Sequence, residues 1–227
     1  MTTGRPLRGS NPFANAEMVS GYEAWYETTG RHADRLEKAL LRRLVGSFPH
    51  AQTILEVGCG TGHFTRWFAT RRHPGTGREN RLRAVGLDLS QLMLAEAASR
   101  GSPPCVRSDA LALPFPPGAF DLAALITTLE FLSDPLQALV EALRVVRQGL
   151  ILGVLNRGSR LGRQLSRRGD PVWGAARFFT PAELVQLVKD AAPRMPMRIG
   201  WRTTLSFWPW SWPFPWGGFI GLWVQLL

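Results

Sequence analysis

The segment Leu55-Glu56-Val57-Gly58-Cys59-Gly60-Thr61-Gly62-His63-Phe64 has the residue types and spacing to cradle a nucleoside. Glycines adopt positive φ angles and let a ligand approach bare backbone. A helix beginning straight after them adds free N–H groups. A dinucleotide fingerprint, G-x-G-x-x-G/A, needs a small third residue for close packing over a pyrophosphate. Counted from Gly58, that position is His63, and the spacing is G-x-G-x-G instead. The pattern therefore points to a nucleoside ligand without the pyrophosphate bridge. It disfavours a nicotinamide-dependent reductase.

Acidic residues follow at intervals. Asp88, in Val85-Gly86-Leu87-Asp88-Leu89-Ser90, closes a second apolar run, where a carboxylate can accept from both ribose hydroxyls. It stands beyond the ~20-residue spacing of the dinucleotide pattern, and the polar insertion at His73–Arg83 accounts for the excess. A helix-capping role is the alternative, but Ser90 is available for that. Asp109, beside Ala110, can accept from an adenine amine; a turn aspartate is an equal alternative. Glu130 follows the fourth apolar run, at the edge where ligands bind in open α/β sheets. It could be a base, an acceptor-orienting group or a solvated carboxylate. The histidines His32, His50, His63 and His73 have no metal-ligand spacing with each other or with cysteine, so no metal is expected.

These residues need a scaffold. Thr53–Val57, Arg83–Leu87, Cys105-Val106, Phe120–Ile126 and Leu150–Leu155 read as short buried strands. Between them lie helical stretches: Gly62–Thr70, Ser90–Ser99 and one started by Asp134-Pro135 that stops at Gly149. Tyr22–Leu44 reads as helix, and Thr180-Pro181-Ala182-Glu183 as a capping box whose helix runs to about Ala191. Apolar runs near Ile199–Leu205 and Phe219–Leu226 fit a terminal hairpin. Strand and helix alternate, which indicates a parallel sheet with helices on both faces. Residues 1–20 are expected to be a flexible tail. Residues 21–227 form a single domain, with core motifs at 50–155 and a lid and hairpin at 156–227.

The chain has 227 residues, 45% of them hydrophobic, enough for one α/β domain with its own core. Its formal net charge is +10. That suits nucleic acid, anionic lipid or acidic small molecules, but no long block of cations appears and scattered surface arginines explain the figure as well. The two cysteines, Cys59 and Cys105, form no disulfide framework and read as reduced, in a cytoplasmic setting. Trp208–Leu227 is apolar but broken by Pro209, Pro213, Pro215, Gly217 and Gly218, a poor membrane span.

Taken in order, E-V-G-C-G-T-G, G-L-D-L-S, D-A-L-A-L-P-F, F-D-L and L-E-F-L-S-D-P resemble the class I S-adenosylmethionine-dependent methyltransferases. The similarity is closest to the methyltransferase type 11 branch. The resemblance implies a Rossmann-like seven-stranded, mostly parallel sheet whose last strand is antiparallel. It implies S-adenosylmethionine as cofactor, wrapped by Gly58, Cys59, Gly60 and Gly62 with Glu56 supporting the loop. Asp88 would bind the ribose, Leu89 would pack on adenine, and Asp109 with Ala110 would read the adenine edge. The family's N-terminal segment often closes over the cofactor, which puts Tyr22, Trp25 and Tyr26 on the substrate side, although packing alone would explain Trp25.

The segment Asn156–Ala176, with Arg157, and a Trp/Pro loop at Ser206–Trp216 should reach the same sheet edge. A basic, aromatic rim suits an anionic or aromatic acceptor or peripheral membrane contact. The alternative is a loop that covers the core. Thr127-Thr128-Leu129-Glu130-Phe131 lacks the Asn/Asp-Pro-Pro-aromatic signature of amino-methylating nucleic-acid enzymes, so a small-molecule or lipid-like acceptor is expected over nucleic acid. A non-catalytic cofactor-binding protein is the remaining alternative.

Overall fold

A computed structural model of the chain describes residues 13, 15–70, 82–167, 172–174, 176–205 and 214–227. The His73–Arg83 insertion, up to residue 81, and residues 206–213 of the Trp/Pro loop lie outside that range. Seven strands form one sheet: β1 (Thr53–Val57), β2 (Arg83–Asp88), β3 (Cys105–Arg107), β4 (Phe120–Ile126), β5 (Val146–Leu155), β6 (Met197–Thr204) and β7 (Phe219–Leu226). Their order across the sheet is β3-β2-β1-β4-β5-β7-β6. β7 pairs antiparallel with both β5 and β6, and the other neighbours are parallel. This is the Rossmann-like arrangement that the strand and helix alternation calls for.

The helices among the described residues are α1 (Ala16–Glu27), α2 (Arg31–Val45), α3 (His63–Ala69), α4 (Gln91–Ser99), α5 (Pro135–Val145), α6 (Arg160–Arg167) and α7 (Pro181–Ala191). Successive strand residues point to opposite faces, and each face feeds its own core. Leu55, Ala123, Leu125, Leu150 and Leu152 pack with Leu139 and Leu143 of α5 and Leu184 and Val188 of α7. Ile54, Leu122, Ala124 and Ile151 pack with Leu40, Leu41 and Leu44 of α2 and Phe64 and Phe68 of α3. Both faces being covered explains why the central strands read as unbroken apolar runs.

The capping signals act as their chemistry requires. Asp134 accepts from Gln137 N–H, Ser90 from Met93 N–H, and Thr180 with Glu183 forms a reciprocal capping box. Three expectations need correction. The N-terminal tail does not extend to residue 20: Asn15 caps α1, accepting from Glu17 N–H, and the helix begins at Ala16. The stretch read as one helix from Tyr22 to Leu44 is two, broken between Glu27 and Arg31, where Gly30 tucks its bare Cα under the Trp25 ring. The helix after Asp134 stops at Val145 rather than Gly149, because Val146 already pairs with Phe120 of β4. In addition, Arg160–Arg167 is helix where a plain connection was expected. Ser159 caps it by accepting from Gly162 N–H at 2.9 Å.

Gly149 thus sits in a strand, not a turn. A Cβ there would lie 1.9 Å from the Val224 carbonyl oxygen and 2.8 Å from Phe48. A backbone oxygen cannot swing aside as a side chain can. Gly149→Ala is expected to lower stability by about 3 kcal/mol, the upper end for overpacking, seen as a lower urea midpoint at unchanged slope. A midpoint equal to the parent's would show that β5 and β7 separate freely at this point.

Candidate functional site

The turn from β1 to α3 is built on backbone that bulkier residues would strain. Gly58 and Gly62 have φ of 72° and 76°. A Cβ on Gly58 would strike Thr128 at 2.3 Å, and one on Gly62 would strike Ser102 at 1.9 Å. The Leu87 carbonyl accepts from both Gly58 N–H (2.7 Å) and Cys59 N–H (2.9 Å). Asp88 accepts from Gly60 N–H through one oxygen and from Ser90 N–H through the other, both at 2.8 Å. Ser90, not Asp88, caps α4.

This turn forms one wall of a cavity of about 430 Å³ at the C-terminal edge of the parallel strands. Glu56, Gly58, Cys59, Gly60, Asp88, Leu89, Asp109, Ala110, Tyr22 and Tyr26 all line it, so most of the sequence-predicted residues meet in one place. Glu56 lies behind the turn, buried, and accepts from the Thr65 hydroxyl. Burial pushes its carboxyl up to about 8 against that bond. Asp88 is raised as well, first by burial, although backbone N–H groups pull the other way. Asp109 is exposed and accepts from Leu111 N–H at 2.9 Å, which is the turn role; it still edges the cavity.

The opposite wall is aromatic. The Phe13 ring meets Phe131 edge-on at 5.0 Å and Tyr22 at 6.4 Å, and Tyr22 meets Tyr26 at 5.6 Å. The Ser90 hydroxyl donates to the Phe13 carbonyl at 2.9 Å and pins this segment over the cavity. Tyr26 stacks on His63 at 3.7 Å and 12°. Burial raises the Tyr22 hydroxyl to about 12, so both tyrosines stay neutral at ordinary pH.

Ion pairs and hydrogen bonds latch α1 and α2 to the glycine turn and α3. Glu23 accepts from Thr61 and Arg66 at 2.5 and 2.7 Å, and His63 lies 2.7 Å from Asp34. Burial opposes charge on Glu23, but bonds from His63, Thr61 and Arg66 outweigh it and hold the carboxyl at about 2. Burial likewise opposes a charged His63, yet Asp34 and Glu23 raise its pKa above 6.5.

Four expected residues are not among those lining the cavity. Gly62 sits behind the turn as the N-cap residue of α3. Trp25 is 44% exposed on the outer side of α1, packed over Gly30. Arg157 is exposed and pairs with Glu183 at 2.5 Å. Glu130 is buried, and one of its oxygens accepts from Leu155 N–H at 2.7 Å. It ties the 3₁₀ turn Leu129–Phe131 to the end of β5.

Residues that sequence reasoning passed over also line the site: Phe13, His63, Phe64, Met93, Ser108, Thr127, Thr128, Phe131 and Leu132. Thr127 carries the one clear signal, its position just past β4. Its φ of 52° is strained for a β-branched residue, and such strain concentrates at functional sites.

The fold is that of the S-adenosylmethionine-dependent methyltransferases. Residues 55–153 match a family model described as a methyltransferase domain. An uncharacterised protein of Mycobacterium tuberculosis is 35% identical over 185 residues, 78% of this chain. The chain spans only 59% of that relative's length. A malonyl-[acyl-carrier protein] O-methyltransferase of Serratia marcescens is 32% identical over 152 residues, 64% of this chain and 55% of that protein. A solved S-adenosylmethionine-dependent methyltransferase from Thermotoga maritima aligns with TM-score 0.75 at 26% identity, covering 92% of this chain and 96% of its own.

Burial raises the Glu130 carboxyl from 4.5 to about 8, against the Leu155 bond. The folded chain therefore holds a proton there that the unfolded chain releases above pH 4.5. Stability falls as pH rises through that window. Glu130→Gln keeps an acceptor for Leu155 N–H and removes the titration. It is expected to flatten the decline in melting temperature between about pH 5 and pH 8 relative to the parent. Parallel curves would mean that Glu130 is ionised throughout.

Proposed function

We propose that the chain binds S-adenosylmethionine in this cavity and moves its methyl group to a small, largely apolar or lipid-like acceptor. The observation that carries the reading is the pairing of two unlike walls. On one side stand a positive-φ backbone turn and the Asp88 carboxylate. On the other stand Phe13, Tyr22, Tyr26 and Phe131.

The residues fit such a cofactor. Asp88 uses one bond per oxygen on Gly60 and Ser90, which leaves lone pairs for two ribose hydroxyls. Leu89, 53% exposed at the cavity edge, offers an apolar face to a base, beside Ala110 and Asp109. The turn offers backbone without Cβ for the amino-acid part. Aromatic faces attract a cation such as a sulfonium.

The bound cofactor supplies a methyl group already activated by the sulfonium charge. The protein's share is positioning and exclusion of water. The N-terminal wall, latched by Glu23 and Asp34, encloses the acceptor side. The buried tyrosines present neutral hydroxyls, with Tyr26 3.4 Å from Tyr22. An acceptor with a free lone pair needs no base; one that must lose a proton does. The Serratia relative, named for an acyl-carrier substrate, supports an acceptor outside nucleic acid.

His63 argues against a nicotinamide dinucleotide. Its ring fills the place of the small residue such ligands need, stacked on Tyr26 and bonded to Asp34.

Asp88→Ala is expected to weaken S-adenosylmethionine binding by ~1.5–3 kcal/mol, the worth of lost hydrogen bonds to a charged group. Calorimetry on the parent and variant checks this. Equal affinities would remove Asp88 from the site. Tight binding of a nicotinamide dinucleotide by the parent, with none of S-adenosylmethionine, would end the methyl-transfer reading.

A further inference from the structure

Beside the cavity, on the same edge of the sheet, lies a surface that neither the fold nor the cofactor site requires. Helix α6 follows the C-terminal end of β5 and carries Arg160, Arg163 and Arg167 at helical spacing, all exposed. Together with Gln164 they line a shallow groove. Leu161 and Leu165 on the other side of the helix pack into the core, so the arginine face is fixed outward. Between Glu141 and Asp170 the sequence holds seven arginines and no acidic residue. No carboxylate in that stretch can neutralise the row.

An aromatic pair adjoins it. Phe214 and Trp216 stack at 5.4 Å and 16°, and they are 50% and 70% exposed. Their turn is bolted to the start of α6: the Asn156 amide donates to the Pro215 carbonyl at 2.6 Å and the Gly217 carbonyl at 2.8 Å. A Cβ on Gly218 would meet Leu161 of α6 at 2.8 Å. The turn that carries the exposed rings is therefore held to the segment that leads into the arginine helix.

Rings also lead away from the cavity. Phe131, which lines the cavity, meets Trp173 at 5.8 Å, and Trp173 meets Phe178 at 6.2 Å. These rings run from the acceptor wall toward the segment that follows α6.

We infer that α6 and the Phe214–Trp216 turn form a docking face for an anionic lipid surface, which brings a lipid-like acceptor to the cavity mouth. Guanidinium groups pair with phosphate headgroups, and exposed tryptophan settles at the headgroup boundary. Single-stranded nucleic acid would use both the arginines and the rings, and an acidic protein partner the arginines; the exposed Trp216, the ring type that settles at a headgroup boundary, favours the lipid surface, and the other two are arms of the test. The acceptor part rests on the methyl-transfer reading; the docking face stands on its own residues.

The test is co-sedimentation of the full chain with vesicles of phosphatidylcholine alone and of phosphatidylcholine carrying about one-third phosphatidylglycerol. Binding is expected only to the anionic vesicles and is expected to weaken with salt. The triple variant Arg160→Gln, Arg163→Gln, Arg167→Gln should bind on the order of a hundredfold more weakly, at roughly fivefold per arginine. Trp216→Ala should bind more weakly than the parent at equal charge. Both variants should keep the parent's melting temperature and its affinity for S-adenosylmethionine, which separates this proposal from the cofactor assignment. Lack of binding by the parent, equal binding to both vesicle types, or undiminished binding by the triple variant would each overturn it. So would loss of binding to single-stranded RNA or to an acidic carrier protein in the triple variant while vesicle binding persists.

Discussion

Three hydrogen bonds hold the end of β1 to the end of β2, and the site exists because of them. Gly58 and Cys59 donate to the Leu87 carbonyl, and Gly60 donates to Asp88. A strand end followed by a helix would otherwise leave backbone donors to water. Here part of that set is satisfied by the neighbouring strand, and the turn folds back over β2. The same contacts place the Asp88 carboxylate beside the bare backbone. The carboxylate must be acidic to serve the turn, and burial works against that. Burial prevails and raises the Asp88 pKa, and the backbone N–H groups of Ser90 and Gly60 limit the rise. The polar recess thus depends on neighbouring strands being parallel and in register, Val57 opposite Leu87.

A second constraint is that three buried carboxyl groups near the glycine turn and its helices differ in the donors around them. Glu23 is buried but ringed by donors and stays charged. Glu56 has one hydroxyl partner and is pushed up to about 8. Glu37, buried on α2, is pushed up to about 7, first by burial and then by the charge of Asp34. Charge is retained where α1 must be fixed to the glycine turn and suppressed where the carboxyl faces apolar packing. The His63 share of the latch is complete below the unfolded histidine pKa and fades as pH rises through the folded one. The Glu23 and Asp34 shares are present above their unfolded values and fade in acid. The N-terminal wall is therefore held most firmly between those limits.

The central strands, the glycine turn and the helix caps were legible in the sequence because each rests on local chemistry. Val57-Gly58 can only leave a strand, and Asp134-Pro135 can only begin a helix. The acidic residues were legible through their position at strand ends. What was not legible depends on contacts between distant segments. Phe13 enters the site through a bond from Ser90, 77 positions away. Glu130 stands at the right strand end, but its carboxyl is drawn to Leu155 N–H, and no spacing in the sequence announces that. The helix at Arg160–Arg167 shows too few apolar residues to reveal a period, because Leu161 and Leu165 alone hold it to the core. Val146 had the pattern of a helix residue and was taken by its pairing with β4.

The two sides of the cavity differ in a way that bears on how an acceptor arrives. The N-terminal side is closed by bonds among its own charges: Glu23 with Arg66 and Thr61, Asp34 with His63 and Lys38. Opening there would strand several partly buried charges at once, which is costly because each then lacks its partner. The other side, beyond Phe131, joins Phe131 to Trp173 by a tilted ring contact at 5.8 Å, with a backbone bond from Arg177 N–H to the Glu130 carbonyl at 2.8 Å. Edge-on and tilted ring pairs separate at a smaller cost, roughly 0.5–1.5 kcal/mol beyond the area they bury. On the proposed reading, an apolar acceptor therefore meets rings on the Phe131 and Trp173 side, whereas the latched helices on the other side offer ionic partners already paired with each other.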